Sequence, residues 1–342
     1  MNFEKIPPVD NGKTLLDLAF RRAREHLSEK KISGDHFAKM HKFETIKIDT
    51  IKDILCSRLI KTTQNFPQTQ ELPPFYQKLL TITLDFAAFK KSLASMQWAI
   101  QKIRAFQRLY NSKIQRESNP QRIKALSNEY YGRISSVLKQ INPQLLYLEY
   151  SRKMMRTYPD IKEMFTLCIY GFPNVGKTTL LNHLAHTKAE VAAYAFTTKS
   201  INAGYITLNE QKIQCLDVPG ILARDEKLNP IERQAELVLD ELANIIIYIF
   251  DLSEYSGYSI KKQEQLYQKL KREQKHKIIL YLSKIDLTDP DIIAQFKKDH
   301  KQHFFTKETI EEMKTEILSQ KEKFDEKKRE EKPVEVPESI SS

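Results

Sequence analysis

The chain has 342 residues, a formal charge of +11 from 55 basic against 44 acidic side chains, and only 8 glycines. That length corresponds to about two domains, and 41% hydrophobic with 29% charged residues excludes wholesale disorder. Cys56, Cys168 and Cys215 are too widely spaced for a disulfide framework or a metal-ligand set, which points to a reducing, cytoplasmic setting. No N-terminal apolar run resembles a signal peptide and no stretch reaches membrane-spanning length, so neither secretion nor a membrane partner is expected.

The charge is unevenly placed. Residues 1–160 carry 28 basic and 15 acidic side chains, about +13, whereas residues 161–342 carry 27 and 29, about −2. Five of the glycines (Gly171, Gly176, Gly204, Gly220 and Gly257) fall within one stretch of the second half. Two domains with different tasks are expected, over 1–160 and 161–318, followed by a charged tail over 319–342.

The first half has helical spacing throughout. Leu15, Leu16, Leu18, Ala19 and Phe20 open an apolar stripe that continues to Leu27, and Ile46, Ile48, Ile51, Ile54, Leu55 and Leu59 form a second. Pro67, Pro73 and Pro74 interrupt it. A long helix is predicted from about Leu84 to Gln115, with Phe89, Met96, Trp98, Ile103 and Tyr110 as core residues. Asn119-Pro120 and Asn142-Pro143 each read as a capping residue followed by a helix-opening proline. Short connections between such helices imply antiparallel neighbours and an all-α bundle.

The second half changes period. Phe165–Tyr170, Lys212–Asp217, Ile245–Asp251 and Lys277–Ser283 are short apolar strands, separated mostly by helix-compatible segments. That alternation predicts an α/β fold with a mainly parallel sheet. Ile201–Leu208 is expected to pair antiparallel with 212–217 across a turn at 209–211. After about Ser319 the Lys/Glu run extends the last helix and then frays.

Three motifs carry chemistry. Gly171-Phe172-Pro173-Asn174-Val175-Gly176-Lys177-Thr178, followed by Thr179, fits the phosphate-binding loop G-x-x-x-x-G-K-[ST], between a strand and an apolar helix. Its backbone N–H groups and the helix N-terminus form a nest for phosphate oxygens. Lys177 is expected to reach the β- and γ-phosphates and the Thr178 hydroxyl to ligate Mg²⁺. Asp217-Val218-Pro219-Gly220 ends the next apolar strand. There Asp217 can hold the Mg²⁺ shell and the Gly220 N–H can sense a γ-phosphate. Ser283-Lys284-Ile285-Asp286 ends a later strand. A carboxylate at Asp286 can accept from the guanine N1–H and exocyclic amine, for which adenine has no match, and the Lys284 stem could cover the base. GTP is therefore favoured over ATP.

These residues resemble the Obg-like TRAFAC GTPases, and most closely the archaeal form of the nucleolar GTP-binding protein 1 (Nog) family. The resemblance is carried by 171–180, by Tyr194-Ala-Phe-Thr-Thr-Lys-Ser200, by Asp217-Val-Pro-Gly-Ile-Leu222 and by Asp251-Leu-Ser-Glu-Tyr-Ser-Gly-Tyr-Ser259. It implies a P-loop GTPase domain preceded by a helical domain. The implied role is a GTP/GDP switch in large-ribosomal-subunit assembly, with the subunit precursor, its rRNA and ribosomal proteins as partners. A monomer acting on RNA rather than DNA is expected. The resemblance also makes Thr198 the switch threonine that ligates Mg²⁺ and contacts the γ-phosphate, with Phe196 and Thr197 beside it. From the residues alone, Thr197 and Thr198 are not distinguished.

Hydrolysis needs an oriented water and neutralised phosphate charge. Ras-like enzymes place a glutamine after D-x-x-G, but here that position is Ile221, so intrinsic turnover should be slow. Asn174 matches an asparagine that ligates K⁺ in related GTPases; it could equally only rigidify the loop. A ribosomal particle could instead complete the site in trans. His303–Lys307 stands where a final guanine-contacting S-A-[KL] motif is expected and matches it poorly. In the helical half, Arg21, Arg22, Arg24, Lys30, Lys31, Lys90, Lys91, Arg104, Arg108, Lys113 and Arg116 are candidate RNA-phosphate contacts. The competing reading is an RNA-binding scaffold that holds guanine nucleotide with little or no turnover.

Overall fold

The computed structural model describes residues 3–30, 35–184, 202–218 and 230–330. Its chain divides after Tyr158 into a helical unit and an α/β unit.

In the helical unit, four long helices form a closed ring: α1 (Gly12–Glu29), α2 (His36–Asn65), α4 (Phe86–Arg116) and α5 (Pro120–Met155). The short α3 (Pro74–Thr83) lies between α2 and α4 in sequence. Helix α1 packs on α2 and α5, α2 on α4, and α4 on α5. Side-chain caps fix most starts: Asn11, Asp35, Asp85 and Asn119 each accept from an N–H of the following first turn. The core is the apolar stripe of each helix, including Leu15, Ile48, Leu55, Phe89, Met96, Ile103, Tyr130, Ile134 and Leu148.

Two expectations are corrected here. Asn142-Pro143 does not open a helix, because α5 runs unbroken through Pro143. The Asn142 Oδ1 instead accepts the N–H of Gly12 at 2.9 Å, so it caps the start of α1 from another helix. Trp98 is not core like Met96 and Ile103. It is half-buried at a surface cleft that it lines with Thr63, Leu93, Ala94, Gln97 and Gln101.

The α/β unit holds a six-stranded sheet: β1 (Thr166–Tyr170), β2 (Asn202–Leu208), β3 (Gln211–Asp217), β4 (Ile245–Asp251), β5 (Lys277–Ser283) and β6 (Phe304–Phe305). The order is β2-β3-β1-β4-β5-β6, parallel except where β2 runs against β3. The β2–β3 hairpin closes at Asn209 and Glu210, both at positive φ (44° and 63°), as a two-residue turn between right-twisted strands requires. Helices α6 (Lys177–Leu184), α7 (Pro230–Glu241), α8 (Ile260–Glu273), α9 (Pro290–His300) and α10 (Ile310–Glu330) complete the unit. Strand β4 is buried along its whole length; each of its isoleucines contributes about 1.5–3 kcal/mol by leaving water. Helix α10 continues past Ser319 to Glu330, where the Phe324 ring meets Phe165 edge-on. No helix of the described residues is long and apolar enough to cross a membrane.

This topology positions the site. Strand β1 lies between β3 and β4, where the strand order reverses, and open α/β sheets bind ligands at the carboxyl ends of the strands at such a point.

Candidate functional site

The loop after β1 has the backbone of a phosphate cradle. Gly171 and Gly176 adopt φ of 150° and 98°, which side-chain-bearing residues avoid. A Cβ on Gly171 would also lie 3.0 Å from the Ile249 carbonyl oxygen and 3.3 Å from Val175 Cγ2. Asn174 is exposed at φ 62°, a conformation asparagine tolerates better than most residues. Backbone shape is therefore a further reason for an asparagine here. Phe172 and Val175 are buried and anchor the loop, Pro173 is half-buried, and Thr178 and Thr179 are exposed at the start of α6.

Lys177 folds back across the loop, its Nζ donating to the carbonyl oxygens of Phe172 at 3.0 Å and Gly171 at 3.3 Å. Burial pulls its pKa below the usual lysine range, against the opposing pull of Asp217. Asp217 ends β3 in register with Ile169 of β1, and the next residue, Val218, is buried and donates its N–H to the Ile169 oxygen at 3.3 Å. Burial raises the Asp217 carboxyl above the ordinary range, with Lys177 pulling the other way. Asp217 Oδ1 is buried and has no hydrogen-bond partner among the described residues. An orphaned carboxylate oxygen beside a phosphate cradle suits a hydrated divalent cation. Thr178 and Asp217 are thus the described residues that would hold Mg²⁺.

At the far side, Ser283 ends β5 and is buried, with its Cβ 3.6 Å from where a Cβ on Gly176 would stand. Its hydroxyl donates to the Phe250 carbonyl oxygen at 3.1 Å. Lys284 takes a left-handed backbone (φ 51°) and leads into the turn 285–287, where Asp286 is exposed. The structure therefore brings 171–179, 217–218 and 283–286 to the carboxyl end of one sheet. Phe196, Thr197, Thr198, Pro219, Gly220 and Ile221 lie outside the described residues.

Two features are not evident from the sequence. The segment His303–Lys307 contains β6, whose register Tyr281↔Phe305 brings Thr306 and Lys307 to the same sheet end as Ser283. The second is Asp251, fully buried at the end of β4 and ion-paired with Lys284 at 2.8 Å. The sequence hints at it through its place at a strand end and in the phrase 251–259 that carries the family resemblance; the register puts it level with Ser283.

In the helical unit, the ten described basic candidates are all exposed, and Lys31 lies outside the described residues. Arg21 and Arg24 of α1 and Arg58 of α2 line one surface cleft.

Known proteins share both units. Residues 3–162 match the family described as the NOG1 N-terminal helical domain, and residues 166–284 the family described as 50S ribosome-binding GTPase. The chain is 35% identical over 291 residues to an uncharacterized protein of Methanocaldococcus jannaschii, covering 84% of this chain and 82% of that one. It is 29% identical to nucleolar GTP-binding protein 1 of Drosophila melanogaster and 30% identical to that of Arabidopsis thaliana, over 87% and 93% of this chain. It spans just under half (46%) of the length of each of these two relatives.

Proposed function

The chain belongs to the nucleolar GTP-binding protein 1 family, and we propose that it is a GTP-binding, slowly GTP-hydrolysing switch in large-ribosomal-subunit assembly. The observation that carries the reading is the meeting of three groups at the switch point of the sheet. These are a glycine-shaped phosphate loop with a half-buried lysine, an orphaned carboxylate, and a base-reading turn with an exposed Asp286. The loop and Lys177 bind phosphate, and Asp286 accepts from guanine. Thr178 and Asp217, with Thr198 of the switch segment, would hold Mg²⁺, which when bound would supply positive charge to the phosphates. Phe196 and Thr197 precede that threonine, and Pro219 and Gly220 follow the carboxylate.

The exposed Asn174 would hold K⁺, which would complete charge neutralisation, or the ribosomal particle would complete it in trans. The basic helical unit docks on rRNA and ribosomal proteins of the precursor in the cytoplasm. A second reading, an RNA-binding scaffold that holds guanine nucleotide with little turnover, draws on the Ser283 hydroxyl, which donates to the Phe250 carbonyl oxygen.

The test is nucleotide binding and single-turnover hydrolysis by the full chain, in KCl and in NaCl, with and without large-subunit precursors. Preference for GTP over ATP and slow phosphate release that K⁺ or the particle accelerates are expected. Equal binding of ATP and GTP would sink the reading. Absence of hydrolysis under every condition would leave the scaffold.

A further inference from the structure

Apart from the Asp251–Lys284 ion pair, the segment Asp251–Ser259 has no part in the site as built above, yet it is densely bonded. Asp251 Oδ2 accepts from the Ser256 N–H at 2.8 Å and from the Lys284 ammonium at 2.8 Å. Oδ1 accepts from the Ser253 N–H at 3.2 Å and from the Ser253 hydroxyl. The backbone of the same residue is gripped as well. Its N–H donates to the Gln263 side-chain oxygen and its carbonyl accepts from the Gln263 amide, both at 2.8 Å. Gln263 also donates to the Tyr258 carbonyl at 2.9 Å. Burial alone would raise the Asp251 carboxyl; the donors from Lys284, Ser253 and Ser256 outweigh it and hold it ionised.

This loop touches both halves of the nucleotide site. Through Lys284 it grips the base-reading turn, and through Tyr258 it reaches the phosphate loop. The Tyr258 ring stacks on Phe172 with centroids 4.3 Å apart and planes 23° from parallel. Ser283 packs beside Gly176 of the phosphate loop, but its hydroxyl donates to the Phe250 carbonyl oxygen and not to that loop. Lysine side chains are rotamer-rich, and ordering one as a ligand binds costs affinity. Here that ordering is complete beforehand, because a buried carboxylate holds the ammonium and the residue keeps its left-handed backbone.

We propose that Asp251 is a positioning residue for guanine recognition, which presets the 283–286 turn by holding Lys284 and ties that turn to the phosphate loop through the Tyr258–Phe172 stack. This rests on reading 283–286 as the guanine site.

The test is a double-mutant cycle in the full chain, reading the affinity and dissociation rate of a fluorescent GDP with ADP as competitor. Asp251→Asn should weaken GDP about tenfold, through faster dissociation and with reduced preference over ADP. Lys284→Ala should weaken it comparably, and the double variant should be no worse than Lys284→Ala alone. Additive losses, or an Asp251→Asn protein that binds as the parent does, would overturn the inference. If Asp251→Asn does not fold, the same cycle run with Ser253→Ala, which removes the hydroxyl donor to Oδ1 and leaves the backbone N–H, decides it by the same coupling. A parent chain that binds no GDP, or an Asp286→Ala variant with undiminished guanine preference, would instead bring down the guanine-site reading and the inference with it.

Discussion

Asn142, in the middle of α5, receives the N–H of Gly12 at 2.9 Å and so caps the first turn of α1 from across the bundle. The approach is close: a Cβ on Gly12 would lie 2.9 Å from the Leu138 carbonyl oxygen and 3.3 Å from the Asn142 side-chain oxygen. Gly12→Ala should therefore destabilise the helical unit by about 1–3 kcal/mol through overpacking. Asn142→Ala should cost about 1 kcal/mol, because the first turn of α1 then has no side-chain acceptor from α5. Urea denaturation of the full chain, followed by far-UV circular dichroism, checks both.

A second long-range tie holds the N-terminal segment. Glu149 pairs with the buried Arg152 through two hydrogen bonds, at 2.7 and 2.8 Å, and accepts the Val9 N–H at 2.9 Å. Hydrogen bonding from Arg152, aided by Val9 and opposed by burial, holds the Glu149 pKa below its ordinary value. A depressed carboxylate stabilises the fold above its unfolded-state pKa, and that contribution disappears as pH falls through the folded-state value. Glu149→Gln should cost about 1–3 kcal/mol at neutral pH and little once the pH is below the folded-state pKa. Denaturation midpoints of parent and variant at the two pH values give the comparison.

Asp217 has the opposite sign. Burial raises its pKa in the folded protein, so its ionisation lowers stability as pH rises from the unfolded to the folded value. A bound cation favours the ionised form, and protons compete with it. Mg²⁺-dependent nucleotide affinity should fall with acidification, with a midpoint above the ordinary aspartate value. Asp217→Asn should abolish that pH dependence. Titrations with Mg²⁺ and with chelator across this range measure it.

Removing Lys177 should strip the phosphate loop of its one ammonium group. Lys177→Ala is expected to weaken GTP about 10- to 100-fold, as when a hydrogen bond to a charged group is removed. Fluorescent-nucleotide titration, with the thermal midpoint as folding control, tests this.

If the basic helical unit docks on RNA, affinity should fall steeply with salt. Replacing Arg21, Arg24 and Arg58, which line one cleft, should make the plot of log affinity against log salt shallower. The slope should change by up to about 0.7–0.9 for each phosphate that is no longer neutralised. Filter binding of rRNA fragments at graded KCl reads the slope directly.

The sheet is legible in the sequence because its signals are local. An unbroken short run of β-branched and aromatic residues such as Ile245–Phe250 suits a buried strand, and the phosphate loop declares itself through glycine spacing. The Asn119-Pro120 cap also behaves as its sequence indicates, with Asn119 accepting the Gln121 N–H at 2.9 Å. The identical chemistry at Asn142-Pro143 misleads because its hydrogen-bond partner lies 130 residues away. The Asp251–Lys284 pair is hidden for the same reason, being 33 residues apart and joined only by the β4–β5 register. Trp98 keeps the helical spacing of a core residue, yet its ring falls at the edge of the stripe. Strand β6 has two residues, too few for any periodicity to register.

Burial of all three cysteines has a practical consequence. Desolvation raises the pKa of Cys56, and of Cys168 and Cys215 in the sheet far above a free thiol's, so each stays protonated and closed to electrophiles. The folded chain is therefore a silent background for thiol labelling. A single cysteine placed at Tyr255, 74% exposed on the loop that Asp251 anchors, would take up a maleimide dye alone and report that loop as nucleotide binds.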